Sequence, residues 1–410
     1  MPKKIFSAFL CLTITFFTVT AAFSVSDYST AEAAKVYETP YYYNQLTDKA
    51  KKVYKQLKEA VLNCDKTVKI DFDLHNDDNY EQYGQVTELL ILHDPMAFNL
   101  ENIEAKSYSG NSITFKLSYK YKKETYDKMV AAYEKETQEI LDTFTEDMST
   151  YKKIKAIHDY LIDNTVYDLE TAGNDNIYGT LVKNIGKCDG YAKAFSYICG
   201  QAGIRTVTVI GEDKIDMDNS DYLHMWNKVY YNKKWYNVDV TWDDPVGNIK
   251  DNLSYDFFMV SDKALEKTHV EENLSFEVPA ADDDSKDYYI KSKKYAETVD
   301  SAKSILKSGL TSAAKRGKTY AVVECSSKEV FDELKKYVSD TEQVSKLLTS
   351  VKKSSGSSLV TDVYSYNFNE YRNTVSIYIF YEDTDLSDYF LSADTLDSET
   401  LKTLGKFGIK

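Results

Sequence analysis

Cysteine is scarce in this sequence. Five occur in 410 residues, and the four that follow the N-terminal stretch (Cys64, Cys188, Cys199 and Cys325) show no C-x-x-C spacing. That argues against a disulfide-dense scaffold. Neither Cys64 nor Cys325 has metal-ligand spacing with His75, His93 or His269, so no metal and no cofactor is expected. Basic charge is also in deficit. Fifty Lys and Arg against 65 Asp and Glu leave a net charge of −15, whereas a nucleic-acid partner would call for a basic face. Beyond the N-terminus no apolar run approaches the length of a bilayer span. No fixed-period repeat appears, although Tyr alone accounts for 35 residues.

What is present begins with Lys3 and Lys4 ahead of an apolar run from Ile5 to Phe23, followed by Ala31-Glu32-Ala33. This order predicts a signal peptide cleaved near Ala33. Thr and Ser interrupt the run, which disfavours a membrane anchor, and Cys11 follows Leu10 rather than Gly or Ala, which disfavours lipidation. The mature chain is expected to be secreted or at the cell surface, without a stable membrane span.

Hydrophobic and charged residues make up 43% and 28% of the chain, enough apolar surface for two or three packed domains. The pattern predicts an α+β protein: a signal peptide (1–33), an N-terminal α+β module (34–148), a central domain (149–278), a linker (279–289) and a C-terminal α+β domain (290–410). Helical spacing opens the mature chain from Tyr41 to Leu62. Alternation at Val68, Ile70 and Phe72, and again from Ile113 to Tyr119, reads as strands. Helices are predicted over 126–144 and 151–164. Further helices are predicted at 296–315 and 330–337, with strands at 320–325 and 376–380.

In the central domain Cys188 stands where a loop becomes a helix. Apolar residues then recur at 191, 192, 195, 198, 199 and 202, with Gly200 and Gly203 at the end. A thiol at a first helical turn meets unpaired N–H groups and the positive end of the helix dipole, both of which favour thiolate. Cys199, about 16 Å further along such a helix, is too far for a disulfide and is read as core.

The segment from His224 to Pro245 reads as two strands joined by a polar turn near Asn232-Lys233-Lys234. An even turn would put His224 and Asp239 on one face, roughly 4.5–8 Å apart at Cβ; an odd turn would separate them. Asp239 can then hold one ring nitrogen of His224 while the other faces Cys188. His158 lies on the apolar stripe of its helix and is read as a core histidine. The acidic loop from Asp213 to Asp221 lacks the Gly and Glu of a calcium loop and is read as solvated. Asp243 and Asp244 are read as strand-ending residues with local hydrogen bonds.

Cys188-Asp-Gly-Tyr-Ala, His224-Met-Trp-Asn and Val238-Asp-Val-Thr-Trp-Asp-Asp-Pro245 together resemble the bacterial secreted proteins with a transglutaminase-like core, distantly related to papain-like cysteine proteases. Outer segments, Ile157 to Leu161, Asn164 to Asp168 and Tyr255 to Asp262, extend the resemblance to about residues 150–270. It implies a nucleophile helix packed on an antiparallel sheet, flanked by small N- and C-terminal modules. It also implies a catalytic triad of Cys188 as nucleophile, His224 as base and then acid, and Asp239 as orienting carboxylate. All three tryptophans fall between His224 and Asp243, so the upstream oxyanion Trp of animal transglutaminases has no counterpart. The Cys188 backbone N–H and the Tyr178 hydroxyl are the oxyanion candidates, and Asp189, Trp226, Asn227 and Trp242 the cleft-lining candidates.

The reaction implied is acyl transfer from a peptide or glutamine carboxamide through a thioester, to water or to an amine. The partner would be an extracellular peptide or protein, in some cases cell-wall associated. Two alternatives stand beside it: a non-catalytic surface binding module on the same fold, and an NlpC/P60-type peptidoglycan endopeptidase. The latter does not predict the Val238 to Trp242 element.

Overall fold

The computed structural model describes residues 40–73, 77–215, 223–244, 253–272 and 274–382. The signal-peptide reading, His75, the acidic loop beyond Ile215, Pro245 and residues 383–410 lie outside the described residues. Within the described residues no helix is long and apolar enough to cross a membrane.

The opening helical pattern is split in two, α1 (Pro40–Gln45) and α2 (Asp48–Leu62), because Thr47 caps α2 by accepting from Ala50 N. β1 (Thr67–Ile70) follows, then α3 (Asp77–Glu88), which the strand-like reading of this region missed. β2 (Leu100–Ser109) and β3 (Ser112–Tyr119) complete a three-stranded antiparallel sheet in the order β1-β3-β2. α4 (Lys123–Asp142) and α5 (Thr150–Asn164) lead into the central region.

There the chain forms β4 (Val166–Tyr167), α6 (Ile177–Val182), β5 (Ile185–Gly186) and α7 (Cys188–Gln201). α7 ends in a Schellman motif: Gly203, at φ +73°, lets its own N–H reach Gly200 O and that of Ile204 reach Cys199 O. β6 (Thr206–Asp213), β7 (Leu223–Tyr231), β8 (Lys234–Val238), α8 (Val240–Asp243), β9 (Phe258–Val260), α9 (Asp262–Leu265) and β10 (His269–Glu271) follow. The five strands form one antiparallel sheet in the order β10-β6-β7-β8-β9. α7 packs on this sheet, burying Tyr191, Phe195 and Ile198 completely, each contributing about 1.5–3 kcal/mol relative to exposure.

β7 and β8 meet through a two-residue turn: Tyr231 pairs with Lys234, and Asn232 and Lys233 take φ of 50° and 66°. Left-handed backbone at both positions is the turn that matches strand twist, and it is even. This register puts Asp239, just past β8, diagonal to His224 on the same face.

Past α10 (Tyr288–Lys291) and β11 (Tyr295–Ala296) come α11 (Val299–Lys315), β12 (Tyr320–Cys325), α12 (Lys328–Ser339), α13 (Thr341–Ser355), β13 (Leu359–Asn369) and β14 (Thr374–Tyr381). Their sheet runs β11-β12-β14-β13 and packs on α11, α12 and α13 over its own core, including Leu306, Val323, Phe331, Leu348 and Ile377. A second core is continuous across the N-terminal and central sheets, where Val53, Leu57, Phe72 and Phe115 pack in one cluster with Val207, Val209, Trp226 and Phe257. The segment 279–289, read as a linker, is pinned in place. Pro279 O accepts from Lys228 Nζ at 2.9 Å, Ala281 N donates to Asp262 at 2.8 Å, and Asp283 accepts from the Tyr236 hydroxyl at 2.8 Å. The fold is thus mixed α+β, with α7 packed on a five-stranded antiparallel sheet at its centre.

Candidate active site

α7, which begins at Cys188, is seated by residues with no room to spare. Lys187 N donates to Asn174 O at 2.9 Å, β4 and β5 pair in parallel just before the helix, and a Cβ on Gly190 would come within 2.4 Å of Asn174 O. Cys188 occupies the first turn and is half-buried, with a free thiol.

His224, on β7, pairs across β6 with Gly211 and is 7% exposed. Its Nε2 lies 2.6 Å from Asp239 Oδ2, and the Cys188 thiol is close enough to add to the rise in the imidazole pKa. Asp239, fully buried, is anchored at four points. Its N–H donates to Phe257 O at 3.0 Å, and its Oδ1 accepts from Trp242 N at 3.1 Å as the cap of α8. Its Oδ2 takes His224 and, from the other side, His269 Nε2 at 2.9 Å.

Burial alone would push the His224 imidazolium towards neutrality. The Asp239 charge and hydrogen bond, reinforced by Cys188, outweigh that and lift its pKa to about 10. Burial would raise the Asp239 carboxyl, but His224 and then His269 hold it well below the usual carboxylate range. His269 goes the other way: burial lowers it, and Asp239 only partly compensates.

The structure brings Cys188, His224 and Asp239 together, and Asp189, the next residue of α7, has its carboxyl raised by burial despite Lys193 and Lys187. Trp226 lies beneath the imidazole, ring centroids 6.0 Å apart and nearly parallel, buried rather than on a cleft wall. Trp242 packs against both histidines, 6.1 Å from His224 and 4.6 Å from His269. Asn227 does not line the cleft: on the opposite face of β7, its amide donates to Ala192 O at 3.0 Å and ties the sheet to α7. Tyr178 on α6 has its ring under Lys183 Nζ, and its phenol is raised by burial and then by Tyr121. The phenol coupled to Cys188 is Tyr167 on β4, 45% exposed, its pKa raised to about 12 by burial and then by the charges of Cys188, Asp239, Asp189 and Asp213.

Metal-ligand spacing gives His269 no role in the sequence. Its signal was a histidine opening a short strand, Thr268-His269-Val270-Glu271, after Asp262 to Leu265. Among the described residues His224, Asp239 and His269 bring three ligand-type atoms within 4.8 Å of one another. Two ring N–H groups directed at one carboxylate oxygen account for that convergence, and a cation there would have to displace both protons. His158 is the satisfied core histidine expected, with Nε2 3.1 Å from Asp243 and Nδ1 3.1 Å from Asp159.

Residues 138–240 match the family model of the transglutaminase-like superfamily. The chain is 30% identical to mouse (Mus musculus) kyphoscoliosis peptidase over 114 residues and 26% identical to the human (Homo sapiens) protein over 145. These alignments span 25% and 33% of this chain but only 17% and 22% of those proteins. Among solved structures, a TGase is 17% identical with a TM-score of 0.24, over 43% of this chain and 50% of that one. A protein described as a candidate cysteine protease from Cytophaga hutchinsonii is 15% identical with a TM-score of 0.25, over 44% of this chain and 79% of that one. Residues 138–240 are thus transglutaminase-like in sequence.

Proposed function

We propose that this chain, on the strength of its transglutaminase-like domain, is an exported cysteine-dependent acyl-transfer enzyme. Its substrates would be peptide or glutamine-carboxamide groups of extracellular peptides or proteins. The observation that carries the reading is the buried relay from Asp239 through His224 to the thiol of Cys188, at the N-terminus of α7.

In this reading the Cys188 thiol gives its proton to His224 Nδ1, and the thiolate attacks the carbonyl carbon. The oxyanion forms beside the N-terminal backbone N–H groups of α7. Collapse expels the amine, which takes its proton from the His224 imidazolium, and leaves an acyl thioester on Cys188. Water or a second amine then attacks the thioester, with His224 as base, and regenerates the thiol. Asp239 keeps the imidazole oriented and supports its charge throughout. Specificity would come from the exposed apolar residues nearest the thiol in sequence and sheet pairing, Val166, Tyr167 and Leu169.

Alkylation by iodoacetamide separates an enzyme from a binding module. Wild-type Cys188 should alkylate at pH 7 at least about tenfold faster than in His224→Gln, located by peptide mass spectrometry, since loss of the charge-assisted partner is worth about 1.5–3 kcal/mol. Equal rates would favour the binding module.

A further inference from the structure

Resting on the reading of Cys188 as nucleophile, we propose that His269 is a positioning residue of this site: a second imidazole that donates its Nε2–H to Asp239 Oδ2 and so fixes the carboxylate against which His224 is held.

His269 opens β10, which pairs with β6 so that His269 faces Asp213 across the ladder, and it is 4% exposed. A packing role accounts for its ring, which lies against Trp226, Trp242 and Phe257. Packing does not account for Nε2, which lies 2.9 Å from the same oxygen that receives His224 at 2.6 Å.

A carboxylate oxygen can accept two hydrogen bonds, so a proton must lie on each nitrogen. Whether His269 carries one ring proton or two follows from its surroundings. The charged and titratable groups facing it are Asp239, His224 and Asp213. With the two rings 5.3 Å apart, two imidazolium ions would share one buried carboxylate, and burial together with His224 keeps His269 neutral. Its single proton then sits on Nε2, and Nδ1 must accept. The Thr268 hydroxyl, 2.7 Å from Nδ1, donates to it once the hydroxyl turns from Leu265 O, to which it otherwise donates at 3.1 Å. Hydrogen bonds from Trp242 N on Oδ1 and from His224 and His269 on Oδ2 leave the Asp239 carboxylate one orientation. Gly211 makes room for this arrangement: a Cβ there would come within 2.0 Å of Val270 O and 2.7 Å of the Trp226 ring.

Nitrogen-15 NMR of the full chain reads the tautomer directly. At pH 7 His269 should be neutral with its proton on Nε2; a proton on Nδ1, or a charged ring, would overturn the proposal. The rate of Cys188 alkylation by iodoacetamide against pH reads the consequence. His269→Gln keeps an N–H near the Nε2 position and should stay within about threefold of wild type, whereas His269→Leu should slow alkylation about tenfold at pH 7. Equal effects of the two variants, or none from either, would overturn the proposal. Should His269→Leu not fold, Thr268→Val decides. It keeps the imidazole but removes the hydroxyl that sets its tautomer, and should slow alkylation in the same direction; an unchanged rate would overturn the proposal. Failure of the underlying reading looks different: wild type and His224→Gln would then alkylate alike, whatever is done to His269.

Discussion

Asp239 is the residue on which the site turns, since its two oxygens and its N–H are all engaged and its side chain is fully buried. Asp239→Asn should keep the shape but present an amide where an acceptor is needed, and the imidazole loses its charge partner. Turnover is expected to drop about 10³–10⁴-fold with little change in KM, measured by steady-state kinetics on any substrate found. The pH behaviour follows from the same pair. The raised value of His224 means that its contribution to stability is complete below the ordinary value of 6.5 and is lost as pH climbs through about 10. The depressed value of Asp239 means that its contribution is present above 3.8 and is lost as pH falls through its lower folded value. The relay stays charged between these limits, so turnover should fall as pH rises through about 10, where the imidazolium that protonates the leaving amine is lost. Asp239→Asn, which removes the charge that raises His224, should move that alkaline limb to lower pH.

At the scale of elements, α7 works because its first turn is wedged, and Gly190 is the wedge. Gly190→Ala would drive a methyl group into Asn174 O and Thr180 Oγ1, at 2.4 Å and 2.7 Å, so the loop or the helix must move. A loss of about 1–3 kcal/mol in urea unfolding is expected, together with slower alkylation of Cys188 as the thiol leaves His224. The elements that carry the chemistry were legible because their signals are local. The apolar periodicity after Cys188 and the polar turn between Tyr231 and Lys234 are each contained in about 15 residues of sequence, and the turn parity decides the face. His269 was not legible because its partner Asp239 lies 30 residues away, and only the β10–β6 pairing brings it back. Tyr167 was hidden likewise, since it meets Cys188 only through the two-residue β4–β5 ladder. α3 was missed because Asp77, Asp78, Asn79 and Glu81 give it few apolar positions, and it buries only Asn79 and Val86.

At the scale of the molecule, the central five-stranded sheet leans on both neighbours. Its N-terminal side shares a core with α2 and β3 through Trp226 and Phe257, the residues that also back the two histidines. Its C-terminal side is held through Asp256, which accepts from Tyr289 at 2.8 Å, Asn369 at 2.7 Å and Thr374 at 3.2 Å. The next residue, Phe257, bonds Asp243 with its N–H and Asp239 with its carbonyl. A fragment of residues 150–280 would lose both supports and expose Val207, Val209, Trp226 and Phe257. It is expected not to fold, with no cooperative thermal transition by circular dichroism. The composition of 279–289 suggested a separable boundary because Ala, Asp and Ser dominate it, yet those same Asp side chains make the contacts that pin it.

The proposal that Cys188 carries an acyl group is tested most directly by pre-steady-state reaction with an activated ester, such as a p-nitrophenyl ester, followed by acid quench and peptide mass spectrometry. The expected result is a burst of about one equivalent of p-nitrophenol with the acyl mass on the Cys188 peptide, and neither in Cys188→Ala. An absent burst, or a burst that survives Cys188→Ala with the acyl group elsewhere, would contradict it.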